Sequence, residues 1–212
     1  EVCRYNNDQD QYNRPFHNVM WKVFAPHRSS LETYKRVSRR KGRNVTVTGY
    51  TGIEDLVSQR GERESDPWKS LGLKRIIWAP HHTIDSPNLP YANFLRYAEC
   101  FRELVELYAD RVQWCFKPHP LLKPKLLLNS DWGPERTEEY YSFWEQHSNT
   151  QIELGKYEGL FRHSDAMIHD SGSFLAEYLY VDKPVMYLWS SPGVVNFFNE
   201  FELKINEEKL KV

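Results

Sequence analysis

The sequence predicts an α/β protein built on a parallel, doubly wound sheet. The first observation is an alternation, from about residue 74 to residue 190, of short apolar runs with amphipathic stretches. The short runs suit buried strands, and the longer periodic stretches suit helices. The second observation is the order strand, hydroxyl-rich turn, helix, strand within residues 164–189. Strands that alternate with helices in this way form parallel sheets with helices on both faces.

The composition is that of a globular protein, and it excludes several classes of function. The chain has 212 residues, of which 40% are hydrophobic and 27% are charged, and its net charge is -1. The small net charge argues against broad nucleic-acid binding, so we expect no nucleic-acid partner. No apolar run approaches the roughly 20 residues that a membrane span needs. Three scattered cysteines, Cys3, Cys100 and Cys115, indicate a reducing compartment.

The first 60 residues predict a small part of a larger protein. The chain opens on Glu1 rather than Met and carries no signal-peptide pattern, so we expect residues 1–18 to be a tail or the end of a missing element. The charged stretch of residues 59–69 is the best linker candidate. We therefore predict one part over residues 1–60 and a second over residues 70–212. In the first part the predicted elements are a strand within residues 19–25, a helix from Ser29 or Ser30 to Gly42, a strand at residues 45–48 and a short helix at residues 53–57.

The second part carries the regular alternation. Its clearest helix is predicted at residues 91–109, because one stripe carries Phe94, Ala98, Phe101, Val105 and Tyr108, with Leu95 and Leu104 beside it. The predicted strands are residues 75–79, 112–116, 151–154, 166–168 and 185–188, and the other helices are residues 121–129, 135–147 and 157–163 and one that contains Phe174.

A turn of small hydroxyl residues follows the fourth of these strands. Asp170, Ser171, Gly172 and Ser173 come directly before a helix. The start of a helix offers free backbone N–H groups and a dipole that favours an anion, and the two serines add hydroxyl donors. The turn therefore predicts a phosphate site. The alternative is that Asp170, Ser171 or Ser173 only caps the helix.

Two further polar loops follow predicted strands, at residues 81–85 and 117–120. Ligands of an open parallel sheet bind outside the carboxyl ends of its strands, so we expect these loops to meet the hydroxyl turn. Lys117 supplies a positive charge and His119 a hydrogen bond. The alternative for Lys-Pro-His-Pro is a rigid strand exit with an incidental histidine.

The loop after the first strand of the second part contains His81, His82 and Thr83. Adjacent residues in an extended loop point apart, so we expect at most one of the two histidines to face the site. We expect no metal, because no histidine or cysteine ligands recur at the spacing of a zinc site.

Several motifs of the second part resemble those of a known family. They are Lys117-Pro118-His119-Pro120, Ser164-Asp165-x-x-Ile168-x-Asp170-Ser171-x-Ser173-x-x-x-Glu177 and Lys183-Pro184-Val185. Together they look like the nucleotide-binding half of the CDP-glycerol glycerophosphotransferase family, enzymes of teichoic acid and capsule synthesis with a GT-B fold. Residues 23–56 are similar to the link between that family's two lobes. The hydroxyl turn also resembles one in the UDP-N-acetylglucosamine 2-epimerases, and His81-His82 lies where those epimerases carry a His-Arg pair after a strand.

The resemblance implies a Rossmann-like, C-terminal lobe of a GT-B fold, preceded by a remnant of the acceptor lobe and the inter-lobe segment. It also implies roles for residues. Lys117, His119, Ser171, Gly172 and Ser173 would bind the phosphates of the donor. Asp170 and Glu177 would bind its ribose or polyol, with the loop of His81, His82 and Thr83 nearby. His119 and His82 are the candidates for a catalytic group.

Two departures from the family pattern limit what the resemblance implies. The family's His-Gly-Thr-Pro-type motif, which supplies its proposed catalytic base, has no counterpart in this chain. His81-His82-Thr83 also replaces the threonine and the aromatic or arginine residues that are usual after the first strand of the nucleotide lobe. We therefore expect the donor-binding half to be present and the catalytic base to lie outside this chain.

The function that the resemblance implies is transfer of a glycerol-phosphate, polyol-phosphate or sugar unit to a cell-surface polymer. The donor would be a CDP-polyol or a UDP-sugar, and the acceptor a polymer or a lipid-linked acceptor, with no cofactor. We expect the protein in the cytoplasm, at the inner face of the membrane through a segment that this chain lacks. The alternatives are a sugar-nucleotide 2-epimerase and a non-catalytic module that binds nucleotide sugars.

Overall fold

A computed structural model describes residues 8–57, 66–69, 71–85 and 91–189. The chain separates into two compact units, the first running to Asp55 and the second beginning at Leu56. The predicted linker lies largely outside the described residues. No helix within the described ranges is long and apolar enough to cross a bilayer.

The second unit contains a five-stranded, fully parallel sheet, as the sequence predicted. Its strands are β3 (Lys74–Ala79), β4 (Val112–Phe116), β5 (Thr150–Ile152), β6 (Ala166–His169) and β7 (Val185–Tyr187). Their order across the sheet is β5-β4-β3-β6-β7. The first strand of the unit is therefore central, and the chain reverses its direction of winding between β3 and β6. In such sheets the ligand crevice lies at the carboxyl ends of the strands on either side of this reversal.

The helices that follow β3 lie between these strands, as expected for crossover connections of a parallel sheet, and one short helix precedes β3. Most predicted elements are present, with ends that move by one to three residues. Helix α9 is short, which limits the strength of its dipole. The helices are α4 (Glu54–Val57), α5 (Phe94–Leu107), α6 (Leu122–Leu128), α7 (Gly133–Gln146), α8 (Glu158–His163) and α9 (Gly172–Tyr178), and a 3-10 turn at Leu179–Val181 follows α9.

An aromatic core joins the sheet to the helices of the β3–β5 side. Trp78 of β3 is at its centre, stacked on Phe101 of α5 with ring centroids 3.9 Å apart. Phe116 of β4 stacks on Trp144 of α7 at 5.1 Å. Phe94, Ala98, Phe101 and Val105 of the predicted stripe are buried here, whereas Tyr108 is the C-cap residue and only partly buried. Such rings each bury a large apolar area, so this core fixes β3 and β4 rigidly.

The first unit is smaller and has a two-stranded parallel sheet. Ala25, Tyr34 and Val45 form its core. Its elements are α1 (Asp8–Tyr12), α2 (Pro15–Val19), β1 (Val23–Ala25), α3 (Arg28–Val37), β2 (Val45–Val47) and a 3-10 turn at Thr51–Ile53.

Three local predictions for the first unit were wrong. Residues 8–19 form two short helices rather than a tail. Helix α3 is capped by His27, whose Nδ1 accepts the N–H of Ser30, rather than by a serine. The same helix ends at Val37, because Ser38 is extended and the following turn needs positive φ at Lys41 and Gly42.

Candidate functional site

Three polar loops leave the same edge of the sheet. The register pairs Trp78 of β3 with Phe116 of β4, and Ala79 of β3 with His169 of β6. The strands are parallel, so the loops that follow them leave side by side. The structure thus places residues 81–85, 117–120 and 170–173 on one rim, as the sequence predicted.

Asp170 ties two of these segments together. It is 1% exposed. Its Oδ1 accepts the backbone N–H of His81 at 2.6 Å, and its Oδ2 accepts the backbone N–H of Asn93 at 2.6 Å. The side-chain amide of Asn93 donates in turn to the carbonyls of Tyr91 and Leu188. Asp170 thus holds the exit of β3 and the start of α5 against β6.

This arrangement changes the role that fits Asp170. Both of its oxygens are engaged by backbone donors, and water has almost no access to the side chain. Burial raises the pKa of Asp170 to about 7, although the two backbone N–H groups oppose that rise. The geometry therefore favours a loop anchor and not the ribose-binding role that was predicted for this residue.

His81, His82 and His119 form one cluster of rings. The centroid of the His82 ring lies 4.3 Å from that of His81 and 4.1 Å from that of His119. The prediction that at most one of the adjacent histidines faces the site was wrong. The loop is not extended there: the backbone bends at His82, so the two rings turn to the same side.

The histidines of the cluster are held in their neutral form. Burial, together with the neighbouring His82 and His119, lowers the pKa of His81 to about 3. Burial, His82 and Lys117 lower the pKa of His119 to about 4. Burial and Lys125 also lower the pKa of His82. Near neutral pH these rings therefore act as hydrogen-bonding groups or ligands and carry no charge.

In two of these rings, those of His119 and His81, one nitrogen is already engaged by a protein group. Nδ1 of His119 accepts the N–H of Leu121 at 3.1 Å, which leaves Nε2 to carry the proton of the neutral ring. Nδ1 of His81 lies 3.0 Å from the hydroxyl of Thr83. That hydroxyl also accepts the N–H of Ala92, so it is held in place.

The hydroxyl turn does not serve as an ordinary helix cap. Ser171 occupies the N-cap position of α9, yet among the described residues its side chain makes no capping hydrogen bond. Its hydroxyl lies 3.3 Å from that of Ser173. Its N–H donates to Nδ1 of His169, a fully buried ring whose pKa burial lowers to about 3. The simple capping alternative is therefore not supported for Ser171.

Lys117 and Glu177 are buried at the same edge of the sheet. The side chain of Lys117 is over the ring of Tyr157, 5.9 Å from its centroid, and that ring contacts Phe174 of α9. Burial lowers the pKa of Lys117, while Glu153 and Glu158 raise it. Glu177 is buried four residues after Ser173 on the same helix, so the two share a face.

Sequence analysis missed several residues of this edge. Asn93, His169 and Lys125 were not singled out, although Lys125 pairs with Asp85 at 2.7 Å beside the histidines. His169 had a local signal, because it is the last residue of β6 and directly precedes Asp170. Asn93 and Lys125 have no local signal, because their partners are far away along the chain.

Comparison with known proteins identifies relatives in fold. No protein-family model matches the chain, and no curated protein matches its sequence. Among solved structures, the wall teichoic acid polymerase TagF matches 84% of this chain and 42% of its own at 19% identity and a TM-score of 0.52. UDP-GlcNAc 2-epimerase from Methanocaldococcus jannaschii, in complex with UDP-GlcNAc and UDP, matches 92% and 56% at 17% identity, with a TM-score of 0.53. The MnaA–UDP structure from S. aureus matches 99% and 57% at 15% identity, with a TM-score of 0.50.

These likenesses include both kinds of protein that the sequence motifs resemble. This chain spans between 42% and 57% of the length of those three structures. At such low identity the likeness concerns the fold. The second unit is thus a Rossmann-like lobe of the GT-B kind.

Proposed function

We propose that the second unit binds the diphosphate of a nucleotide-linked donor at the edge formed by the three polar loops. The observation that carries the proposal is the pair of serine hydroxyls, 3.3 Å apart, at the exit of β6. They lie next to the reversal between β3 and β6, where sheets of this type bind nucleotides. Ser171 is not used as a cap, so its hydroxyl is available to an anion.

Each neighbouring group has a chemical part in this proposal. Ser171, Gly172 and Ser173 bind phosphate oxygens, and His119 donates through Nε2, the nitrogen that its contact with Leu121 leaves protonated. The ammonium of Lys117, at the exit of β4, adds positive electrostatic potential to the edge. These donors stabilise negative charge that develops on the leaving nucleotide. Glu177 accepts a hydrogen bond from a ribose or polyol hydroxyl.

The reaction we propose is transfer of a polyol-phosphate or sugar unit from a CDP- or UDP-linked donor to a cell-surface polymer such as teichoic acid or capsule. The likeness in fold to the teichoic acid polymerase and the Lys-Pro-His-Pro and Asp-Ser-Gly-Ser motifs support it. The catalytic base and the acceptor site lie outside this chain in the proposal. His119 and His82 are the candidates for a group that assists the leaving nucleotide.

A sugar-nucleotide 2-epimerase is the second candidate. Its support is the likeness in fold to a UDP-GlcNAc 2-epimerase and the histidine pair after β3. A preference for CDP over UDP favours the transferase, because only the transferase is proposed to use a CDP-linked donor. A preference for UDP fits both candidates, and formation of a 2-epimer from a UDP-sugar then favours the epimerase.

Calorimetric titration with CDP, UDP and their polyol and sugar conjugates tests the proposal, with the Ser171→Ala, Ser173→Ala double variant as the probe. Each hydrogen bond to a charged group contributes about 1.5–3 kcal/mol, so the double variant should bind at least about tenfold more weakly. Ser130→Ala, a change in an exposed loop, is the matched control and should bind like the wild type. Equal nucleotide affinity in a folded double variant removes both serines from the site.

A further inference from the structure

The histidine cluster brings three potential metal ligands close together. Each of His81, His82 and His119 offers one ring nitrogen, and these three nitrogens lie within 4.8 Å of one another. Nothing in the spacing of positions 81, 82 and 119 indicates this, because β3 and β4 bring the rings together. Neutral imidazole is a preferred ligand of zinc and other late first-row metals, and three histidines is one of the ligand sets of catalytic zinc.

We propose that His81, His82 and His119 together bind a divalent transition-metal ion such as Zn²⁺. Three protein ligands leave at least one coordination position for water or for an oxygen of a substrate. If the edge binds a diphosphate, as proposed above, a phosphate oxygen would take that position. In the metal-bound form His119 would then contact the phosphate through the metal instead of donating to it directly. That last step rests on the proposed function, whereas the metal site itself does not.

The surroundings of His81 are those of a supported ligand. Metal-binding histidines usually donate the N–H of their other ring nitrogen to a protein acceptor, which fixes the ring. Nδ1 of His81 faces the Thr83 hydroxyl at 3.0 Å, which leaves Nε2 to bind a metal. Nδ1 of His82 is buried and has no hydrogen-bond partner among the described residues.

Binding requires a small change in the cluster. Two nitrogens about 2.0–2.1 Å from a tetrahedral zinc are roughly 3.4 Å apart. The nitrogens, which lie within 4.8 Å of one another, must therefore approach by up to about 1.4 Å. His82 and His119 are only half-buried and can rotate, while Thr83 holds His81. Binding through Nε2 of His119 would also move its proton to Nδ1 and release the N–H of Leu121. Lys125, which opposes a cation, is paired with Asp85 at 2.7 Å.

The test is metal binding by the untagged 212-residue chain after removal of metal with a chelator. Co²⁺ should bind one per chain and give the visible absorption bands of a tetrahedral nitrogen site, and Zn²⁺ should displace it. The amide resonance of Leu121 should shift on addition of Zn²⁺. His82→Ala and His119→Ala should each abolish the bands. Absence of the bands in the wild type, or bands that survive in both variants, overturns the proposal.

Two further variants separate a built site from incidental binding. Thr83→Val should weaken zinc binding about 10-fold or more through loss of support for His81, and Thr83→Ser should restore it. His163→Ala is the control, because this histidine ends α8, before the amino end of β6, and does not belong to the cluster. Equal loss of binding in His163→Ala overturns the proposal.

Nucleotide titrations with and without chelator separate this inference from the proposed function. Tighter CDP or UDP binding in the presence of Zn²⁺ than in chelator supports both. Nucleotide binding with no metal binding leaves the proposed function intact and overturns the metal site. Metal binding with no nucleotide binding supports the metal site and overturns the proposed function.

Discussion

Strand β6 has an aspartate at each end, and the two have opposite electrostatic surroundings. Asp165, before the strand, accepts the backbone N–H of Arg75 at 2.8 Å and the ammonium of Lys74 at 3.2 Å. The backbone bond and Lys74 lower its pKa, and its side chain is 42% exposed. Asp170, after the strand, accepts the N–H of His81 but is buried, and its pKa is raised.

The two ends of β6 therefore use the same kind of hydrogen bond, from a backbone N–H to an aspartate, in different surroundings. Each aspartate pins β6 to β3 through a backbone N–H of the latter strand or its exit. At the amino end the carboxylate is exposed and matched by a lysine, an arrangement that contributes little beyond its hydrogen bonds. At the carboxyl end the carboxyl group accepts two backbone N–H bonds and is excluded from water. The carboxyl end of β6 thus keeps polar groups buried at a cost in stability, which is typical of functional sites.

The largest expected effect is that of Asp170→Asn. An amide in this position can accept only one of the two backbone N–H groups, and its own NH₂ then faces the other. One buried donor loses its acceptor, so we expect a loss of about 2–3 kcal/mol in the free energy of unfolding. Urea unfolding measures it. A variant as stable as the wild type would show that Asp170 does not hold the loops.

The second expected effect is a loss of stability on acidification between pH 6.5 and 4. The pKa values of His81, His119 and His169 are lowered to about 3, 4 and 3. In this window the unfolded chain binds protons at these histidines and the folded chain does not, so stability falls as the pH falls. Asp170 acts in the opposite direction, because its folded pKa of about 7 lies above its unfolded value.

The Asp170→Asn variant sharpens that pH prediction. The substitution removes the opposing titration of Asp170. The free energy of unfolding of the variant should therefore fall more steeply than that of the wild type from pH 7 to pH 4. Thermal melts across this range provide the measurement. Parallel curves for the two proteins would contradict the assignment of a raised pKa to Asp170.

A smaller effect is expected for Lys183→Met at the amino end. The ammonium of Lys183 donates to the carbonyls of Phe161, Arg162 and Ser164, where α8 ends. Methionine keeps most of the side-chain volume but none of the donors, so we expect a loss of about 1–2 kcal/mol in unfolding free energy. Nucleotide affinity, measured by calorimetry, should stay unchanged. A large drop in nucleotide affinity would show that the amino end of β6 influences the proposed binding edge at its carboxyl end.

The smallest effect is expected for Asp165→Asn. The amide oxygen can still accept the N–H of Arg75, and only an exposed ion pair with Lys74 is lost. We expect a change below about 1 kcal/mol, which salt should reduce further. Urea unfolding at low and high salt checks both statements. A loss equal to that of Asp170→Asn would mean that burial does not distinguish the two aspartates.

The sequence predicted the part of this structure that depends on local pattern. The strand at residues 112–116, the stripe of α5 and the parallel sheet follow from periodicity and alternation, which are properties of neighbouring residues. The grouping of the three polar loops also followed, since all parallel strands end at one edge.

What could not be predicted depends on distant partners and on a single backbone bend. Asp170 resembles a ligand residue in its motif, but its donors, His81 and Asn93, are 89 and 77 positions away. The bend at His82 turned two rings to one side where an extended loop would separate them. The ring cluster needs β4 beside β3, and strand order is not visible in local periodicity.

The central position of β3 also determines when the edge can form. This strand is the first of its unit in the chain, yet β6 joins it only after about ninety further residues have been added. Closing so long a loop is slow compared with pairing β3 and β4. We expect the aromatic half of the sheet to fold early and the polar edge to assemble in the last kinetic step. Until then Ser171 and Ser173 are not beside the exit of β3, so we expect a newly made chain to acquire the proposed diphosphate-binding capacity only once β6 has docked.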